Sequence, residues 1–491
     1  MITCDFQLRG DMSLCEYLYC TIKDQVRNGA LKEDEKLPSK RSLALHLGVS
    51  VITVANAYAR LISEGYMYSV EKKGFFAASD YVDVPEASQH VEQTRSGTGS
   101  EVLERETSVP GGKQKLLADF RTNSINAEKF PFSVWNAAMR DVLKEPHESL
   151  LRSPPPQGVY ELRREIAEYL RCFRDMDVDP SQIIIGAGTE YITFIVVSLF
   201  GRNAVYCVEN PGYRKIASVF QMNGALCVPV NVDDEGIDVR AVRESGASVV
   251  HVSPAHHFPT GTVMSLNRRL ELLSWAAADE NHFIIEDDYD SEFRFTGRPL
   301  ETLFGAACKS GIADGKGAGH VIYTNTFSKT LSPSYRISYM VLPPPLAEKF
   351  RKNTSFLTCP VSVFEQSALS RFMQNGSYEK HIIRMKNYYR NLRNSLVQSL
   401  TACPFARFSS IREQNAGLHF LLEFNAPVSG KQLQRSFLEN GLDIPLLSEY
   451  WIGGGMNEMD KPVFVMNYSG ISHEVIPEAV ERMNRAVKRL L

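Results

Sequence analysis

The spacing of apolar residues divides the chain into regions of different period. Leu14, Leu18, Ile22 and Val26 recur at helical intervals, which predicts a helix over residues 14–28 stopped by Gly29. A second helix is expected from a cap at Ser39 to Leu47, followed by a tight turn at Gly48. Ser50 is placed to cap a third helix, from Val51 to about Glu64. On that helix Val54, Ala57 and Leu61 share an inward face, while Thr53, Asn56 and Arg60 fall on another. Residues 65–77 then alternate as a two-stranded wing with a basic tip at Lys72 and Lys73.

From residue 81 to about 115 the apolar period disappears. The stretch is rich in Ser, Gly, Thr and Glu and carries the breakers Ser96-Gly-Thr-Gly-Ser100 and Pro110-Gly-Gly112, which predicts a flexible tether. Beyond Leu117, apolar runs of strand length alternate with helical segments, the pattern of an α/β domain with a mostly parallel sheet. Strands are expected at 182–186, 204–209, 249–253, 283–287 and 320–324, and each runs into polar or glycine residues.

Composition narrows the class. The chain has 491 residues, enough for two or three domains, with 44% hydrophobic and 23% charged residues, as in soluble globular proteins. The net charge of −3 gives no global attraction to nucleic acid, so DNA binding has to come from a local patch. Residues 36–73 hold six Lys/Arg against two acids, while residues 1–80 hold ten of each. The nine cysteines are scattered without a Cys-x-x-Cys pair, which speaks against a zinc site and for a reducing compartment. The start shows no signal-peptide pattern, and the most apolar stretch, 192–200, is too short to span a bilayer. A cytoplasmic protein without membrane contact is expected.

Candidate chemistry gathers at the expected strand ends. In Thr326-Phe-Ser-Lys329-Thr-Leu-Ser-Pro-Ser-Tyr-Arg336, a lysine follows two hydroxyls and precedes an arginine. Burial and the charge of Arg336 would both disfavour the ammonium form, which suits Schiff-base formation with an aldehyde. Thr326, Ser328 and Arg336 are candidates to hold a phosphate; the alternative is an ordinary surface lysine in a loop. Gly188 and Thr189 open a helix after a strand, where backbone N–H groups make an anion site. Tyr213 could lie flat on a bound ring or serve as a packing aromatic. His256 and His257 are adjacent, a poor metal pair, and one of them suits polar contact with a ligand hydroxyl. Asp287, at the end of a buried strand, needs a cationic partner such as a protonated pyridine nitrogen, and Tyr289 lies two residues on, facing the same side. The alternative for this acid-rich run is a Mg²⁺ or Ca²⁺ cluster.

Three resemblances follow from the wording. Leu37-Pro-Ser-Lys-Arg41, Leu47-Gly-Val-Ser50, Thr53-Val54, Ala57-Tyr58, Leu61 and Glu64-Gly-Tyr66 resemble the GntR family of winged-helix regulators. Val51 stands where that family usually has arginine, and Lys72-Lys-Gly-Phe75 replaces its usual Gly-Ser-Gly-Thr wing. The resemblance implies contacts with double-stranded operator DNA from Ser39, Arg41, Ser50, Thr53, Asn56, Lys72 and Lys73. The ordered set from Gly188 to Arg336 resembles the fold-type I pyridoxal-phosphate (PLP) aminotransferases. Their fold is a mostly parallel sheet with a small C-terminal α/β subdomain.

That second resemblance implies Lys329 as the Schiff-base lysine, Asp287 on the pyridine nitrogen, Tyr289 on the ring hydroxyl and Tyr213 stacked on the ring. Gly188, Thr189, Thr326, Ser328 and Arg336 would hold the phosphate. Pro211-Gly-Tyr213, Glu286-Asp-Asp-Tyr-Asp-Ser-Glu-Phe-Arg294, Ser328-Lys-Thr-Leu and Ala416-Gly-Leu-His419 are similar to the MocR subfamily of GntR regulators. The implied organisation is a DNA-binding domain at 1–80, a linker at 81–115 and a cofactor- and effector-binding domain at 116–491, assembled as a head-to-tail homodimer.

The implied function is a transcriptional regulator that senses an amine, an amino acid or PLP itself. The alternative is a working aminotransferase with an appended DNA-binding head. Where such enzymes carry a carboxylate-clamping arginine near the last strand, this chain has Val465 or a near neighbour. After Tyr213 stand Arg214 and Lys215, the candidate effector contacts, and lysine is a point charge rather than a fork.

Overall fold

The computed structural model describes residues 6–9, 12–28, 30–32, 34–63, 66–70, 73–78, 116–121, 125–144, 147–295, 300–309, 319–412, 416–453 and 462–490. The chain divides into two compact units, Met1–Val109 and Pro110–Leu491. The expected linker at 81–115 and the wing residue Lys72 lie outside the described residues.

In the first unit the helices are Leu14–Arg27, Lys40–Leu47 and Val51–Ser63. Ser39 Oγ accepts the Ser42 N–H at 3.1 Å and Ser50 Oγ accepts the Thr53 N–H at 3.0 Å, so both expected caps are made. Gly48 ends the second helix with φ 64°, a left-handed conformation that glycine adopts without a Cβ clash. Leu18, Ile22, Val54, Ala57 and Leu61 are all fully buried against one another. The wing strands Met67–Val70 and Gly74–Ala77 pair antiparallel, but the sheet has three strands. Lys36–Leu37 adds to Gly74–Ala77, because Leu37 turns into the core while its backbone covers the free edge of the wing.

The second unit is built on an eight-stranded sheet. Its order is Ile183–Gly186, Ser338–Val341, Val321–Thr326, Phe283–Asp287, Val249–Val252, Val205–Asn210, Leu226–Asp233 and Gly236–Ile237. Val205–Asn210, Leu226–Asp233, Val249–Val252, Phe283–Asp287 and Val321–Thr326 run parallel; Ser338–Val341 is antiparallel to both of its neighbours. Neighbouring side chains on a strand go to opposite faces. Ile183 and Ile185 therefore join one core and Ile184 the other, as Ile284 and Ile285 also divide. Burial on both faces is why these strands read as unbroken apolar runs.

A smaller antiparallel sheet, Ser409–Arg412, His419–Phe424 and Val463–Asn467, packs with helices Ser377–Ala402, Gly430–Glu439 and Ile476–Lys488 around Phe420, Phe424, Phe437 and Phe464. Among the described residues no helix is long and apolar enough to cross a membrane.

Candidate functional site

Parallel strands in an open α/β sheet deliver their carboxyl ends to one edge, and ligand sites form there. Here that edge carries a cavity of about 270 Å³ lined by Thr189, Tyr213, Asp287, Tyr289, Thr326, Ser328, Lys329 and Arg336, among others. These residues come from the ends of four strands and from the entry to the antiparallel one. The sequence between them is more than a hundred residues, so the sheet is what assembles them.

One side of the cavity is built for an anion. Gly188 has φ 88° and opens helix Thr189–Phe200. A Cβ at this position would lie 2.0 Å from Arg336 Nη2, so only glycine lets the guanidinium pack across the helix start. Arg336 itself has φ 53°, uncommon for a side-chain-bearing residue, and this backbone turn directs it back over Gly188. The Thr326 hydroxyl donates to Ser328 Oγ at 2.9 Å and accepts from Ser338 Oγ at 2.9 Å. Glu190, not singled out in the sequence, enters the same place: its Oε2 accepts from Arg336 Nη2 at 2.5 Å, and its Oε1 pairs with Lys215.

The floor is acidic and largely enclosed. In Glu286-Asp-Asp-Tyr-Asp290 the four acids go to four different partners. Glu286 accepts the Leu303 and Phe304 N–H groups at 2.8 and 2.9 Å, capping helix Leu303–Lys309. Asp288 pairs with buried Arg174 at 2.5 Å, and Asp290 accepts from His256 Nδ1 at 3.0 Å. Asp287 alone of the first three lines the cavity, 3.6 Å from His251 Nε2. The four carboxylates are therefore not gathered on one point; Asp290 instead lies within 4.8 Å of ring nitrogens of His256 and His419.

Burial, with the charges of Asp288 and Asp290 adding to it, pushes the Asp287 carboxyl up to about 7. Burial also lowers His251 to about 4, so the imidazole beside Asp287 is neutral and no countercharge for it. Glu209, at the end of the neighbouring strand, is pushed up to about 8 by burial. Lys329 is brought down to about 8 by burial, with Asp290 opposing. The influence of Arg336 expected from sequence is not among the causes; enclosure alone outweighs the acid.

Two expected contacts stand off the cavity wall. His256 sits behind it, hydrogen-bonded to Asp290 and 3.3 Å from the Tyr289 hydroxyl, so it orients Tyr289 rather than facing a ligand. Arg214 faces a shallow recess of about 360 Å³ beside Arg121, Tyr450 and Lys215, and donates to the Glu449 carbonyl at 3.2 Å. Lys215 lines both spaces. Val465 is buried, and Asn467, paired in register with His419, reaches the wall instead. The His419 ring bonds the Pro259 carbonyl, and burial holds its pKa well below the ordinary value, so this wall is polar and uncharged.

The family models agree with the architecture. "Aminotransferase class I and II" matches residues 119–482 and "Bacterial regulatory proteins, gntR family" matches residues 14–77. The HTH-type transcriptional regulator YdeL of Bacillus subtilis (strain 168) is 36% identical over 479 residues, covering 97% of each chain. The probable rhizopine catabolism regulatory protein MocR of Rhizobium meliloti is 29% identical over 483 residues, 97% of this chain and 94% of that one. The chain belongs to the MocR-type subfamily of GntR transcriptional regulators.

The body of this MocR-type regulator also matches the crystal structure of Pyrococcus horikoshii kynurenine aminotransferase in complex with PMP. The TM-score is 0.65 and the identity 21%, over 77% of this chain and 92% of that one, a likeness of fold. The DNA-binding head of the MocR-type chain keeps its candidate contacts at the surface: Arg41, Asn56 and Lys73 are exposed and Thr53 is half-buried. Ser39 and Ser50 use their oxygens as cap acceptors, and the Ser50 hydroxyl also hydrogen-bonds the Thr53 hydroxyl at 2.8 Å. Arg60 packs over the Tyr19 ring at 3.9 Å. The side chains that sequence reading missed, Glu190, Glu209, His251 and Asn467, sit in ordinary strand and helix wording, and only their buried neighbours mark them out; His419 lay in the Ala416–His419 motif but was given no role.

Proposed function

We propose that this DNA-binding regulator takes its signal through PLP held in the body cavity, the signal being an amine, an amino acid or PLP itself. The observation that carries the reading is the convergence of Lys329, Asp287 and the Arg336–Gly188 anion seat on one cavity. The residues fit the group: Asp287 is a buried acid beside a neutral imidazole and suits a protonated ring nitrogen. When bound, PLP supplies an aldehyde that condenses with primary amines and an electron-withdrawing ring.

Lys329 is the residue to hold the aldehyde, since its lowered pKa makes neutral amine accessible near neutral pH. Tyr213 covers a ring face, and Tyr289, steadied by His256, presents its hydroxyl to the ring oxygen. Gly188, Thr189, Thr326, Ser328 and Arg336 hold the phosphate. Tyr213 and Lys215, with Arg214 at the outer recess, face an arriving effector. The chain is read as a head at 1–80, a tether at 81–115 and a body at 116–491, working in the cytoplasm as a head-to-tail homodimer. The enzymatic reading is confined to a partial transamination half-reaction, because Lys215 is tied to Glu190 and the last strand offers Asn467 rather than a guanidinium.

The test is covalent. Borohydride treatment of protein loaded with PLP, followed by peptide mapping, is expected to place a pyridoxyl group on Lys329, and Lys329→Ala to abolish the visible absorbance. Label on another lysine, or an unchanged spectrum in the variant, overturns the reading. Rapid multiple turnover with amino donors and 2-oxoglutarate would replace it by the enzyme.

A further inference from the structure

We propose that Glu190 is a built-in competitor for the anion seat, which weakens the seat's hold on phosphate esters and ties that hold to Lys215. The inference rests on the cofactor reading above and concerns how tightly the cofactor is kept. Glu190 is the second residue of helix Thr189–Phe200, so its carboxylate stands at the same helix start that would receive a phosphate. Its Oε2 accepts from Arg336 Nη2 at 2.5 Å. A Cβ on Gly188 would lie 2.0 Å from that nitrogen and 2.8 Å from Glu190 Oε2, so the pair lies directly over the glycine. Lys215 and Arg336 together overcome the cost of burial and hold Glu190 below the usual carboxylate range.

A phosphate that engages Arg336 therefore meets a fixed negative charge already bound to the same guanidinium. Glu190 then depends on Lys215 as its remaining partner. Lys215 lies in the first turn of helix Arg214–Met222, directly after Tyr213, and lines both the cavity and the outer recess. An anionic group that occupies Lys215 removes that remaining partner and returns Glu190 to Arg336. Phosphate at Arg336 and an anion at Lys215 thus oppose each other, and a MocR-type body built this way keeps its cofactor exchangeable.

The measurement is equilibrium titration of full-length apo-protein, followed by absorbance, with pyridoxal phosphate and with pyridoxal, which lacks the phosphate. Glu190→Gln removes the charge and keeps the shape. It is expected to bind pyridoxal phosphate about tenfold more tightly, with pyridoxal unchanged. Lys215→Ala is expected to loosen pyridoxal phosphate several-fold when Glu190 is present and not in the Glu190→Gln background, a coupling that a merely structural ion pair would not show. Thermal stabilisation by inorganic phosphate, greater in Glu190→Gln than in wild type, is a second readout independent of the aldehyde.

Unchanged or weaker pyridoxal phosphate binding in Glu190→Gln, or an equal gain for pyridoxal, overturns the role of Glu190. If wild type binds pyridoxal phosphate through Lys329 in that case, the cofactor reading stands without it. If neither protein binds pyridoxal phosphate, both fall.

Discussion

In the winged-helix unit the residues offered to DNA stand in solvent: Arg41, Asn56 and Lys73 are exposed, and the fold beneath them is an apolar core of Leu18, Ile22, Val54 and Leu61. In the aminotransferase-like unit the acids at the strand ends and Lys329 are enclosed, while Arg336 and Lys215 stay half-exposed. Glu286 and Asp288 are buried behind the sheet edge, while Glu209, Asp287, Asp290 and Lys329 line the cavity. Exposed charge acts over a Debye length and is screened by salt. Enclosed charge acts on its immediate partner and is controlled by protonation. One chain therefore carries a salt-governed surface and a proton-governed cavity, and the two are separable by experiment.

The largest effect is expected at the cavity. On the proposed reading Asp287 is the carboxylate for the ring nitrogen, so Asp287→Ala should lower cofactor retention by about tenfold or more. Dialysis of the loaded protein measures it, and full occupancy afterwards removes Asp287 from the site. Operator affinity of the cofactor-free head should be untouched by this change, which keeps the comparison sharp.

The next effect is a pH dependence confined to the body. The folded state keeps the Glu209 proton up to about 8, while the unfolded chain loses it near the ordinary value of 4.5. Between these values the folded state binds more protons, so stability falls as pH rises. Glu209→Gln keeps an acceptor for the Ser253 N–H, which Glu209 takes at 2.9 Å, and cannot ionise. It is expected to gain on the order of 1–3 kcal/mol over wild type at pH 8 and little at pH 4. Parallel stability curves across that window would show that Glu209 is not held protonated.

The smallest effect belongs to the head. Arg41→Ala should weaken operator binding several-fold and reduce the salt slope of binding by about one unit. A slope equal to wild type would move Arg41 off the phosphates, and a pH dependence in place of a salt dependence would break the contrast between the two units.

Much of the head was legible because its signals are local. Ser39, Gly48 and Ser50 cap or end the helices they adjoin, and spacings of three and four residues place Val54, Ala57 and Leu61 inside. The third strand, Lys36–Leu37, was not legible, since two residues carry no period and only the edge of the wing makes them a strand. In the body, the order of strands and the polar residues after them announced a site at the sheet edge. His256 was placed on the ligand, yet its position behind Tyr289 depends on Asp290, reached thirty-four residues later in the chain.

The sequence by itself determined which residues end the strands, and so that Lys329, Asp287, Gly188 and Arg336 would meet, because backbone periodicity is written in neighbouring side chains. Only the tertiary structure decided how charge is shared once they met: that Asp287 and Asp290 but not Glu286 or Asp288 line the cavity, that Glu190 lies on Arg336, and that enclosure rather than a positive neighbour lowers Lys329. Desolvation and ion pairing depend on what packs across from a side chain, and that partner is set by folding over long separations rather than by adjacency.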